Sequence, residues 1–165
     1  MIFNYINYDP QINLETTHMN MDKLNLQIIR HLQDGRKSFR TIARDLSVSE
    51  NTVRSRVGKL IQSGILDIVG QVDTDHLPNH QVVVVGVKLN TMKLEEKGEE
   101  FSQLKGVVSV GVVTGRYDVI LTVMLNEEFE LLDFFKNEMS KVKGVRSTET
   151  FVLFRNFSWK IPYVL

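Results

Sequence analysis

Near residue 80 the hydrophobic pattern of this chain changes its period, which commits it to two unlike halves. Before that point apolar residues recur every three or four positions, as at Leu24, Ile28 and Leu32. After it, "QVVVVGVKL" opens a region of β-branched runs and alternations. The two periods of 3.6 and 2.0 cannot be exchanged, so helices fill the first half and strands dominate the second. At 165 residues the chain has room for one ordinary domain or two small ones.

The first half contains three helical stretches. Asp22 caps "KLNLQIIRHL", and Gly35 stops it. Ser38 caps "FRTIARDL", with Phe39, Ile42, Ala43 and Leu46 facing inward. Ser49 caps the third helix, which Gly64 ends. Within "SVSENTVRSRVGKLIQSGIL", Val53, Val57, Leu60 and Ile61 share one side. The opposite side collects Asn51, Thr52, Ser55, Lys59 and Gln62, flanked by Arg54 and Arg56. "ILDIVGQVD" reads as a two-stranded ribbon turning near Gly70. Helix, helix, tight turn, helix and ribbon together predict a winged helix-turn-helix domain over 21–73.

A polar stretch with a proline, residues 74–80, reads as a hinge. From 81 to 165 the order is β-α-β-β-α-β, with a weak echo between "LKGVVSV" and "VKGVRST". That order predicts a ferredoxin-like sandwich, making the whole chain α+β. Leu94, Phe101 and Leu104 line its first helix, and Phe129, Leu132, Phe135 and Met139 its second. Both helices of such a sandwich cover one sheet face. The other face should alternate polar, yet Val82–Val85 and Val119–Leu121 are apolar throughout. A second copy of the sheet is the favoured cover, and the wing folded back is the alternative.

Charge is zero overall but uneven. From Asp22 to Val72 there are nine Lys/Arg against five Asp/Glu, and from Asp73 onward eleven against thirteen. The basic half suits a polyanion, although exposed charge also serves solvation. The absence of cysteine removes disulfides, thiolate metal sites and cysteine nucleophiles. No run approaches the ~20 apolar residues of a membrane helix, so no membrane partner is expected. Residues 1–20 lack the charged start and apolar centre of a signal peptide. They read as a loose extension, or an upstream start ahead of Met19 or Met21. Its aromatics could anchor on a neighbouring subunit.

The segment Asp22–Leu66 resembles the N-terminal domain of the Lrp/AsnC, or feast/famine, transcriptional regulators. "VVTGRYDVILTVM" resembles the turn between central strands in that family's effector domain. The resemblance implies double-stranded DNA as partner and dimers through the sheet domain, often built into octameric or larger rings. It also implies an amino acid or related small effector, and a cytoplasmic, nucleoid-associated protein that is not an enzyme.

On that reading Asn51, Thr52 and Ser55, with Ser49 at the helix head, are short enough to reach base edges. Arg54 reaches guanine or phosphate, and Lys59 phosphate. Arg56 sits close to the valine stripe and has two readings: a DNA contact, or a brace for the fold. Arg40 and Arg44 add phosphate contacts from the second helix, with Arg36 and Lys37 near the same edge. A dimer would read two half-sites of a roughly palindromic operator. Ser47 stands where many relatives have glycine. Serine resists a positive φ, so Ser47 could cap alongside or instead of Ser49 and shift the helix start.

"TGRYD", Thr114–Asp118, reads from its residues alone as a plain hairpin. The family resemblance raises a second reading, an effector site between subunits. Gly115 would leave room, Asp118 would accept an α-ammonium group and backbone amides would meet a carboxylate. Arg116 would tune effector choice and Thr148 is a weaker candidate. Tyr117 reads as packing rather than contact.

His76 and His80 are separated by Pro78, which breaks ligand spacing on a helix, so no metal site is expected. Asp73 and Asp75 read as solvated. No phosphate loop or nucleophile signature is present, and no cofactor is expected beyond the effector. Trp159 and Tyr163 read as packing at a subunit contact. Two alternatives stand beside the regulator: an enzyme resembling the sirohaem decarboxylases, which share this layout, and an effector-free DNA-packaging protein.

Overall fold

The computed structural model describes residues 21–157 and 159–165. The expectation for the N-terminal extension lies outside them. The described residues divide into two compact units, one ending at Val69 and the other spanning Gly70–Leu165. The division falls ahead of the expected hinge. Residues 74–80 belong to the second unit, where Thr74–His76 form a 3-10 turn and Thr74 is buried.

In the first unit the helices are α1 (Lys23–Leu32), α2 (Phe39–Asp45) and α3 (Glu50–Gln62). Each begins where a short polar side chain satisfies an orphan amide. Asp22 accepts from Asn25 N at 2.8 Å, Ser38 from Thr41 N at 3.1 Å and Ser49 from Thr52 N at 3.1 Å. Ser47 takes φ 55° in the turn, and Ser49 alone caps α3. The helix start is therefore not displaced. Gly64, at φ 67°, closes α3 as its Ile65 neighbour donates back to Leu60 O at 3.0 Å.

Ile28, Ile42, Ala43, Val53 and Val57 form the core, with Leu24, Leu32, Phe39 and Leu46 packed around it. Ile61 departs from expectation and is 43% exposed. It lies about 70° round the helix from the centre of the Val53–Val57–Leu60 stripe, at roughly 100° per residue, which puts it on the flank.

The second unit contains β1 (Gln71–Val72), β2 (Gln81–Leu89), α4 (Leu94–Ser102), β3 (Val107–Val112), β4 (Val119–Leu125), α5 (Leu131–Asp133), β5 (Val145–Val152) and β6 (Ile161–Pro162). The main sheet runs β3-β4-β2-β5, antiparallel throughout, which is the ferredoxin-like order. Val83, Val85 and Val87 stand opposite Val123, Leu121 and Val119, and with Leu89 and Leu125 they face the helical side. They pack there on Phe101, Leu104, Phe129 and Phe134. Past α5 the chain winds as a wide π turn over Phe134–Glu138 and tightens over Met139–Lys141. The packed side runs through Leu131, Phe134, Phe135 and Met139 at i, i+3, i+4 and i+8. Leu132 lies about 100° round from Leu131, so Phe134 is fully buried while Leu132 is 59% exposed, reversing the expectation for Leu132.

The predicted ribbon around Gly70 does not form. Gln71–Val72 pairs instead with Ile161–Pro162 near the C-terminus. Ile161 then joins Val82 and Met124 in a small cluster on the far side of the sheet, with Val72, Leu153 and Leu165 around it. One end of the apolar far face is thus covered by the unit's own tail. Among the described residues no helix is long and apolar enough to cross a membrane.

Candidate functional site

The cap and the core together fix which side of α3 meets solvent. With Val53, Val57 and Leu60 buried, Asn51, Ser55 and Lys59 fall on the outer stripe, and Arg54 stands beside them. Asn51, Ser55 and Lys59 have no intramolecular side-chain partner among the described residues. Thr52 and Ser49 are less available: their hydroxyls lie 2.8 Å apart, and Ser49 also holds the Thr52 amide. Arg40 and Arg44 are exposed on α2, where Arg44 lies 3.5 Å from Asp45.

The two flanking arginines diverge. Arg54 donates to Glu50 at 2.8 Å and lies over the Phe39 ring, 5.5 Å from its centroid. Arg56 turns inward, pairing with Asp22 and donating to Asn25 Oδ1 at 3.1 Å. It ties α3 to the cap of α1, the contact expected of a brace. The Asn25 amide N–H and the Arg56 guanidinium hold the Asp22 carboxyl below the usual carboxylate range. Lys37 is also turned inward, 2.8 Å from Asp45 and 2.6 Å from His31 Nδ1. Arg36 remains exposed.

The turn at Thr114–Asp118 is closed by its own contacts. Gly115 takes φ 120°, which only glycine adopts readily, and Thr114 and Arg116 are exposed. Tyr117 folds back over Gly86, where a Cβ would stand 2.7 Å from its ring. Its hydroxyl donates to Glu149, which also pairs with Arg116 at 2.9 Å. That bond to Glu149 raises the Tyr117 pKa. Asp118 accepts from Lys88 Nζ and from Leu89 N, each at 2.8 Å. The second bond satisfies an amide where the β2–β5 register shifts. The Lys88 ammonium, then the Leu89 amide, hold the Asp118 carboxyl below its usual range.

A cavity of about 320 Å³ lies beside Asp118, lined by Lys88, Asn90, Thr91 and Arg146 among others. Thr148 is not brought into this group. It stands opposite Val87, on the helical side of the sheet, whereas Lys88 and its partner Asp118 lie on the other side. The residues around the turn that sequence reasoning missed are Gly86, Lys88, Arg146 and Glu149. Only the strand register brings them to the turn. Of the histidines, His76 stands 3.3 Å from Asp73, and His80 lies 2.7 Å from Pro78 O and 3.3 Å from the Tyr163 hydroxyl.

Comparison with known proteins places both units. The AsnC-type helix-turn-helix domain profile matches residues 21–61, and the Lrp/AsnC ligand binding domain profile matches 82–159. A transcriptional regulator of the helix-turn-helix type from Pyrococcus furiosus is 33% identical over 141 residues, covering 84% of this chain and 95% of that one. Among solved structures, AsnC of E. coli superposes with a TM-score of 0.60 at 25% identity, covering 82% of this chain and 93% of that one. A transcriptional regulator of Neisseria meningitidis, solved as a complex with L-Met, gives 0.63 at 16% identity over 87% and 95%. The helix-turn-helix unit, the antiparallel sandwich and these matches together make this chain a member of the Lrp/AsnC family of transcriptional regulators.

Proposed function

We propose that this chain reads duplex DNA sequence with the outer stripe of α3 and adjusts that binding to a small amino-acid-like effector. The observation that carries the reading is the unpartnered row Asn51, Ser55 and Lys59 opposite a fully packed apolar side. Amides and hydroxyls at that spacing can meet donors and acceptors in a major groove. Arg54 joins them at base edges, with Ser49 and Thr52 at the head of the helix. Arg40, Arg44 and Lys59 supply phosphate contacts, each adding salt dependence through counterion release. Arg56 is assigned to the fold.

For the effector, the ligand-binding domain match and the relative solved with L-Met support an amino acid. The site proposed is the cavity beside Asp118 together with the turn Thr114–Asp118. An α-ammonium group would take the place of Lys88 on Asp118, leaving Lys88 and Arg146 to meet the carboxylate. The chain would act as a homodimer or larger assembly in the cytoplasm, with two α3 helices on a roughly palindromic operator. The effector shifts populations only as far as it binds two states differently.

The test is a footprint on the DNA upstream of the protein's own gene, with and without each amino acid. The reading expects a protected, roughly palindromic segment whose protection changes with one or a few amino acids. Equal binding to every duplex would favour a packaging protein instead. No duplex binding would end the proposal.

A further inference from the structure

The first turn of α3 carries a carboxylate next to the proposed reading face. Glu50 is the first helical residue after the Ser49 cap. Helix chemistry alone gives it one role, since an anion there meets the positive end of the helix dipole. Two contacts give it another. Glu50 Oε1 accepts from Arg54 Nη2 at 2.8 Å, one turn along. The same guanidinium lies 5.5 Å over the Phe39 ring, and Phe39 opens α2. A long side chain that would otherwise sample many rotamers is therefore held from its own helix and from its neighbour.

Arg54 and Glu50 remain 62% and 42% exposed, so the pair adds little to stability. Its effect is on direction. A carboxylate near phosphates repels them, and taken alone it would weaken DNA binding. Fixing the planar fork of an arginine offsets that repulsion with selectivity, because guanine is read through O6 and N7 together.

We propose that Glu50 is a positioning residue for base reading: with Phe39 it presents the Arg54 guanidinium in one orientation, so that α3 prefers guanine at one position of each half-site. This rests on the DNA-binding reading above and names a determinant of its specificity.

The test uses the full chain to select duplexes from a randomised pool. Unmodified protein is compared with Glu50→Ala, Glu50→Gln, Arg54→Ala and the double variant Glu50→Ala/Arg54→Ala. Affinities for the best selected duplex and for a scrambled duplex follow at fixed salt, with a melting temperature for each variant. Glu50→Ala should bind the scrambled duplex several-fold more tightly and lose roughly tenfold preference at a single base position. Glu50→Gln keeps an acceptor at the same reach and should retain part of that preference; it also reports on the role if the alanine variant fails to fold. With Arg54 already Ala, removing Glu50 should change no base preference. The proposal is overturned if Glu50→Ala leaves every base preference intact, or alters one equally with and without Arg54. A chain that selects no sequence at all would instead overturn the regulator reading beneath it.

Discussion

The outer stripe of α3 and the turn at Thr114–Asp118 are both polar and exposed, but they are built in opposite ways. On α3, Asn51, Ser55 and Lys59 have no partner within the described chain. At the turn every charged group already has one: Asp118 holds Lys88, and Glu149 holds both Tyr117 and Arg116. The first arrangement is ready to bind by addition. The turn's own charged groups can bind a charged ligand only by exchange, replacing an internal partner with an external one, although Arg146 on the neighbouring cavity wall has no side-chain partner among the described residues. Exchange is what a responsive site needs, since a ligand that displaces Lys88 or Arg116 alters the turn it enters. The lesson is that open hydrogen-bonding capacity marks the proposed reading stripe of Asn51, Ser55 and Lys59, whereas exchangeable ion pairs mark the proposed switch.

The largest expected effect comes from breaking the closed region. Gly86→Ala places a methyl against the Tyr117 ring, where a Cβ would stand only 2.7 Å away. Overpacking of this kind costs about 1–3 kcal/mol. Thermal unfolding of the full chain should show that loss in the second unit's transition, and the response to amino acids should disappear while base preference stays. A variant as stable as the parent would show that Tyr117 is not pinned there.

The contrast sharpens on α3 itself, where Arg54 and Arg56 are two residues apart. Arg56→Ala removes the tie to Asp22 and Asn25 and should lower the melting temperature without altering which duplexes are selected. Arg54→Ala should do the reverse, costing about 1–3 kcal/mol of discrimination at one base position with little change in melting. Identical phenotypes would erase the division between brace and reader.

Acid should act on the closed region in a defined direction. Lys88 and the Leu89 amide hold the Asp118 carboxyl below its unfolded range. The stability it contributes is therefore present above the unfolded carboxylate pKa, about 3.9, and is lost as pH falls through the lower folded value. Melting of wild type and Asp118→Asn should differ at neutral pH and converge in strong acid. The smallest effect belongs to Lys59→Ala. Removing one phosphate-neutralising charge should make the slope of log affinity against log salt shallower by about 0.9, uniformly across sequences.

Much of this architecture is legible because it is local. Asp22, Ser38 and Ser49 announce their helices by capping them within three residues. The order of strands and helices after residue 80 follows from the change of period. What stays hidden in the sequence depends on long-range pairing. The segment before Gly70 resembles one arm of a ribbon, but Gln71–Val72 finds its partner about 90 residues on, at Ile161–Pro162, where burying Ile161 against Val82 and Met124 favours the pairing. Leu132 leaves the expected core stripe because Phe129, which anchored that reading, lies ahead of α5 in a β-bridge with Asn126, and the packed side starts instead from Leu131. At the turn, Glu149 and Lys88 reach the site through strand register, which no spacing within the "TGRYD" stretch encodes. Glu50, by contrast, is readable four residues before Arg54 as a helical ion pair.

The most direct test of the central claim is duplex selection by the full chain, followed by affinity measurement for the chain carrying Asn51→Ala and Ser55→Ala together. The account predicts a folded protein of unchanged oligomeric state that still binds DNA in low salt but no longer distinguishes the selected duplex from a scrambled one. Unaltered discrimination by that double variant would contradict the assignment of α3's outer stripe as the surface that reads sequence.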